Sequence, residues 1–256
     1  MFNKAGHGKK GSVIAIVKRT KANVVSAVLK KIPETEREKV TEITMDFSDS
    51  MFSIAKQCFL KTTIVIDCFH IVQRLCEGLE EMRLRFKRLA VTESRKEAAA
   101  FAQDEDRKAK QRAYYRKKHP RNKKERRGRK RIRKQKYKPT LLTNDETKVE
   151  MLTRSRNMLA QSGDKWGDSK KERARILFGQ YPQMKEAYSL ICKVRATFKS
   201  HIIRKEAKEK LHEWYKEVNA CTLREIKAAR NAIKGRIRLE LFPEQIDQCC
   251  SRISEL

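Results

Sequence analysis

Two aspartates each follow a short run that reads as a strand, the first alternating apolar and polar residues and the second β-branched. VTEITM (residues 40–45) precedes Asp46, and TTIVI (62–66) precedes Asp67. Carboxylates at the carboxyl ends of strands stand where α/β sheets place their sites. Asp also ends strands and caps helices for purely structural reasons, so the spacing alone leaves both readings open. A second chemistry lies in Arg107–Lys138, which holds 19 lysines and arginines against one acid, Glu125. Tyr114, Tyr115 and Tyr137 are interleaved with them. Cations pair with phosphates and tyrosines stack on bases, so the run reads as a nucleic-acid contact. Its apolar residues are too sparse to fold it, so it also reads as a solvated basic arm; the two readings are compatible. The candidate DNA-binding residues are Arg107, Lys108, Arg116, Lys117, Lys118, Arg121, Lys123, Lys124, Arg126, Arg127, Arg129, Lys130, Arg131, Arg133 and Lys134.

The elements that must position these groups alternate. Val13–Val17 (VIAIV) reads as a buried strand after Gly11. Val24, Val25, Val28, Leu29 and Ile32 then recur at helical spacing, and Pro33 ends that segment. Val40–Met45 alternates as a strand, Ser48–Cys58 forms a helix with Ser48 as N-cap, and Thr62–Ile66 is a third strand. A helix follows from Phe69 to about Leu89, and a charged one from Ser94 to Lys118, broken at His119-Pro120. Strand–helix alternation of this kind predicts a mostly parallel sheet with helices on its faces. Leu159–Tyr188 and Val194–Ile233 carry apolar helical stripes with breaks near Gly163, Gly167 and Pro182, and Trp166 and Trp214 are expected to pack there.

The chain has 256 residues, with 62 Lys and Arg against 32 Asp and Glu, a formal net charge of +30. Such a surface collects polyanions, and nucleic acid is the first expectation. No apolar run is long enough to span a membrane, and the N-terminal MFNKAGHGKKG lacks the apolar core of a signal peptide. The seven cysteines (58, 68, 76, 192, 221, 249 and 250) are irregularly spaced and form no C-x-x-C pair. Reduced thiols in a cytoplasmic, nucleoid-associated protein are expected, and zinc is not.

Four runs, taken in order, resemble the DDE transposases of bacterial insertion sequences of the ISL-three group. They are NKAGHGKKGSVIAIVKRTKA, VTEITMDFSDSM, IVIDCFHIVQ and DKWGDSKKERARILFGQYPQMKEAY, and the resemblance covers about Asn3 to Arg236. It implies an RNase H-like core with a helical region. It also implies an Asp, Asp, Glu triad on two divalent ions, Mg2+ by expectation, that activate the attacking oxygen and stabilise the leaving one. Asp46 matches the second acid, and so is the expected catalytic and metal-binding residue. Asp67–His70 matches the group's D-R-F-H run with Cys68 in place of Arg, so Asp67 and His70 are expected as structural or supporting residues.

The first acid belongs to a D-E run upstream of Asn3, so its strand is expected to be absent. The zinc-binding and helix-turn-helix region of the family is expected to be absent too. The last acid should lie in N-Y-F-x-N-R-S-T-N-A-A-A-E-S, but residues 240–254 read ELFPEQIDQCCSRIS. One choice of synonymous codons for that stretch, shifted by one base, spells N-Y-F-R-N-R-S-T-N-A-A-A-E-S. A frameshift at about Arg236–Leu239 is therefore expected.

The expected architecture is α/β plus α: a partial RNase H-like parallel or mixed sheet flanked by helices, a long basic helical region and a helical C-terminal half. Its divisions are 1–92 (partial core), 93–140 (basic arm), 141–236 (helical region) and 237–256 (out-of-frame tail). The expected function is that of a transposase fragment, catalytically incomplete, binding DNA without sequence preference. The expected partners are DNA and, as an oligomer, itself or an intact transposase; no membrane and no small-molecule substrate are expected. The alternatives are a regulatory DNA-binding derivative and an unrelated basic RNA-binding or ribosome-associated protein.

Overall fold

Two short strands pair in parallel near the start of the chain. The computed structural model describes residues 3, 6, 8–46, 48–119, 135–199 and 204–234. They fall into two compact units: Met1–Leu79 with Lys185–Leu256, and Glu80–Met184.

In the first unit, β1 (Glu42–Met45) lies beside β2 (Thr63–Ile66), with Glu42 opposite Thr63 and Met45 opposite Ile66. Parallel neighbours need a crossover, and α3 (Asp49–Cys58) supplies it. The Ser48 hydroxyl accepts from the Met51 N–H at 3.4 Å, which caps α3 as its sequence predicts. Asp49 in the first turn complements the positive helix end. Ile54 and Cys58 of α3 pack with Val25 and Leu29 of α1 (Ala22–Leu29), and Phe59 completes the cluster. Arg37, on α2 (Glu34–Arg37), donates to the backbone carbonyls of Ile32 (3.0 Å) and Cys58 (2.6 Å). One guanidinium thereby satisfies carbonyls that would otherwise be orphaned beyond α1 and at the end of α3.

Val13–Val17 does not form the expected third strand. Among the described residues the sheet has two strands, and within this run only Val13 makes a bridge. Ala15 and Val17 reach the α1–α3 cluster, while Val13, Ile14 and Ile16 stay exposed, Ile16 at 89 %. The run has the side-chain alternation of a strand, but a ladder also needs a neighbour along its length.

The helices expected at Phe69–Leu89 and Ser94–Lys118 are one helix, α4 (Cys68–Lys118), of 51 residues. Ala90, Val91, Thr92 and Glu93 contain neither Gly nor Pro, so nothing stops propagation there. Ile71, Leu75 and Leu79 of α4 are buried. The unit is completed by α8 (Pro182–Lys199, from Lys185 on), α9 (Arg204–Ala220) and α10 (Arg224–Lys234). Pro182 opens α8 where a missing N–H costs nothing. Trp214 is buried, and its indole N–H donates to the Leu190 carbonyl at 2.9 Å. At Gly78 a Cβ would stand 3.0 Å from the Glu225 carbonyl oxygen and 3.3 Å from the Ala229 Cβ, so the missing side chain is what lets α10 lie against α4.

The second unit contains the rest of α4, α5 (Lys148–Arg154), α6 (Arg156–Ala160), a 3-10 turn (Gly163–Lys165) and α7 (Asp168–Gln180). Thr147 and Glu150 form a capping box at the start of α5. Arg83 is buried, paired with Glu80 at 2.6 Å and donating to the Leu152 carbonyl at 2.6 Å. The Trp166 indole N–H donates to the Met158 carbonyl at 3.0 Å, with its ring beside Phe178. Tyr181 packs on Phe86 at 4.8 Å. No described helix is long and apolar enough to cross a membrane.

Candidate acid site and nucleic-acid interface

Because β1 and β2 run parallel, their carboxyl ends coincide. Asp46 and Asp67 fall one step beyond the last paired residues, Met45 and Ile66, and the Asp67 N–H donates to the Met45 carbonyl at 2.9 Å. The structure thus brings the two sequence-predicted acids to one end of the sheet. Their side chains then part. Asp67 is half-buried, and its Oδ1 accepts from the Phe69 N–H at 3.0 Å, capping α4. Asp46 is exposed. His70, in the first turn of α4, is half-buried with its ring edge-on to Phe69 at 5.2 Å. Cys68, between Asp67 and His70 in the chain, is buried at 1 % exposure.

A two-ion centre needs several carboxylate oxygens converging on one point. Among the described residues no group of three or more His, Cys, Asp or Glu is placed to hold an ion. Of the two acids at this sheet end, one is committed to a helix N-terminus. The donor set described here does not fit a two-metal site.

The basic segment has a different geometry. Residues 135–140 return along α4: Tyr137 donates to Glu97 at 2.6 Å and its ring lies 6.0 Å from Phe101. Past Phe101, α4 is exposed on nearly every side to His119; only Asp104, Glu105 and Arg112 are partly shielded. Asp104 pairs with Arg107 and with Lys108, both at 2.6 Å, and Asp106 pairs with Lys110 at 2.9 Å. Lys108, and then Arg107, hold the Asp104 carboxyl below its ordinary range, and Asp104 in turn raises the Lys108 ammonium. Beyond this acidic collar, Arg112, Arg116, Lys117 and Lys118 meet no carboxylate among the described residues. Tyr114 and Tyr115 are 69 % and 62 % exposed, and Tyr115 lies 4.5 Å from the His119 ring.

Of the sequence-predicted DNA-binding residues, Arg107, Lys108, Arg116, Lys117 and Lys118 therefore lie on one helix. Arg121, Lys123, Lys124, Arg126, Arg127, Arg129, Lys130, Arg131, Arg133 and Lys134 lie outside the described residues. The first two are engaged in exposed ion pairs, which are weak and which a phosphate can replace. Arg112 is absent from that set, although it stands one helical turn before Arg116. The collar is also legible in the sequence, as acids three and four residues ahead of cations in DEDRKAK.

Among known proteins, a family model described as a transposase, that of the DDE transposases of the ISL-three group, matches residues 3–239. No curated protein and no solved structure matches the chain. The matched span contains Asp46, Asp67 and all of α4, and it covers nearly the whole length. The chain belongs to the ISL-three family of DDE transposases.

Proposed function

We propose that this transposase chain holds duplex DNA through the basic end of α4 with little sequence preference, and that in its present form it does not cut DNA. The observation that carries the first part is a helix exposed on nearly all sides, with four cations that have no acidic partner among the described residues. Phosphate contacts of that kind position a protein without reading bases. The β1–α3–β2 unit with acids at its carboxyl end supports an RNase H-like core, with Mg2+ as the ion of its intact form. The incompleteness rests on residues 240–254, where ELFPEQIDQCCSRIS stands in place of the segment that carries the last acid. The family match stops at residue 239, one residue before that stretch.

Affinity for a random duplex should fall steeply with salt. The combined substitution of Arg112, Arg116, Lys117 and Lys118 by Ala should lower the log–log slope by roughly 0.9 for each phosphate no longer neutralised. A slope unchanged by that variant, or a flat salt dependence, removes the assignment. In the same preparation, transposon-end duplex with Mg2+ or Mn2+ should stay un-nicked. Nicking that disappears in Asp46→Ala would show the chain to be an active enzyme.

A further inference from the structure

We propose that residues 107–118 of α4 enter the major groove of B-form DNA as a helix, with cations reaching the phosphates on both sides. This rests on the DNA-binding reading above and makes it specific to one groove of one duplex form. The circumference of the helix carries cations in two sets. At about 100° per residue, Lys108, Arg112 and Arg116 share one flank, and Lys110, Tyr114 and Lys117 share the flank roughly opposite. Between the flanks lie Ala109 and Ala113, which present nothing larger than a methyl group. A helix laid along a single strand needs cations on one side only. Cations on two opposite flanks match two backbones, with the helix between them.

The dimensions agree. An α-helix with its side chains is about 10–12 Å across, and the B-DNA major groove is about 12 Å wide. Exposure agrees as well: over this stretch only Arg112 is partly shielded, and no described element covers either flank. The collar of Asp104, Glu105 and Asp106 places three negative charges just ahead of the stretch and so sets its proximal limit, since carboxylates are repelled by phosphate. Duplex RNA does not offer this fit, because its major groove is deep and narrow. No side chain of the usual base-reading kind lies on the alanine side, so the groove is occupied without a sequence being read.

The test uses the full chain and a short random duplex. Methyl green, a major-groove ligand, should displace the protein, and netropsin, a minor-groove ligand, should not; guanine N7 should be protected from methylation in the complex. Ala113→Pro keeps every cation but breaks the helix, and should weaken binding roughly tenfold or more and abolish N7 protection. An RNA duplex of the same sequence should bind more weakly. Circular dichroism and melting of Ala113→Pro verify that the two units remain folded, and the methyl green and N7 results need no variant. Salt-dependent binding that ignores methyl green, leaves N7 reactive or is unchanged in Ala113→Pro overturns the groove assignment and leaves the DNA-binding reading standing. Preference for single strands overturns it in favour of stacking on Tyr114 and Tyr115. Absence of any salt-dependent binding removes both.

Discussion

Glu146 is buried at 5 % exposure, and its carboxylate is held by Arg154 at 2.7 Å, Arg173 at 2.9 Å and Asn144 at 2.9 Å. The hydrogen bonds from Arg173, and then from Arg154, outweigh burial and bring its pKa down to about 2. In the unfolded chain the same group titrates in the ordinary glutamate range. A depressed folded-state value stabilises the fold above the unfolded value, and that stabilisation is lost as the pH falls through the folded one. At neutral pH the contribution is on the order of 3 kcal/mol. Melting of the second unit should therefore drop as pH is taken from about 5 toward 2, and Glu146→Gln should both lower stability at pH 7 and flatten that dependence. Equal acid sensitivity in the wild type and Glu146→Gln would assign the loss to other carboxylates. Asp67 is an acid of a different kind, half-buried and accepting one backbone N–H at the head of α4. Sequence places Asp46 and Asp67 alike at strand ends. What separates them, a cap on one side and open solvent on the other, depends on where α4 begins, and that is not a property of either residue.

Gly78 sits inside α4, where glycine costs about 1 kcal/mol of helix stability relative to alanine. Its position is accounted for by α10, whose backbone oxygen at Glu225 would lie 3.0 Å from a Cβ. Gly78→Ala should thus lose more to crowding than it gains in propensity, by about 1 kcal/mol net, and Gly78→Val should lose more again. A higher melting temperature for Gly78→Ala would mean that α10 yields without cost. Elements with local signals are legible in the sequence: Ser48 before α3, the alternation of β1, the β-branched run of β2, and the break at Pro182 where α8 starts. The run Val13–Val17 misleads because strand character shows in its side chains while its ladder partners do not. Residues 90–93 of α4 mislead because a change from apolar to charged composition resembles a boundary, although no helix breaker is present. The capping box at Thr147 and Glu150 gives little away, because α5 is only 7 residues long and has too few turns for an apolar stripe. The acid site is legible only as two strand ends. That no third carboxylate converges on it among the described residues is a three-dimensional fact, and the tail at 240–254 lies outside those residues.

Across the molecule, 19 of the 62 lysines and arginines lie in Arg107–Lys138, one eighth of the chain. Such a density of like charge resists packing into a core, and its described part on α4, residues 107–118, is exposed at every position but Arg112. The first unit is discontinuous: its two parts, Met1–Leu79 and Lys185–Leu256, are separated in the chain by Glu80–Met184. The ribosome therefore delivers the partners of Gly78, at Glu225 and Ala229, long after Gly78 itself. At about 5–20 residues per second the delay is several seconds to half a minute. The inserted unit, continuous in sequence, has all its parts first. During that interval the face of early α4 at Gly78, against which α10 comes to lie, is expected to wait uncovered on the nascent chain. Chains stalled on the ribosome after residue 184 has emerged should show protease resistance in the second unit and sensitivity around residues 68–79. Protection of 68–79 at that stage would mean that the first unit closes without its C-terminal helices. Slowing elongation should therefore change the folded yield of the chain while leaving the melting temperature of the folded product unchanged.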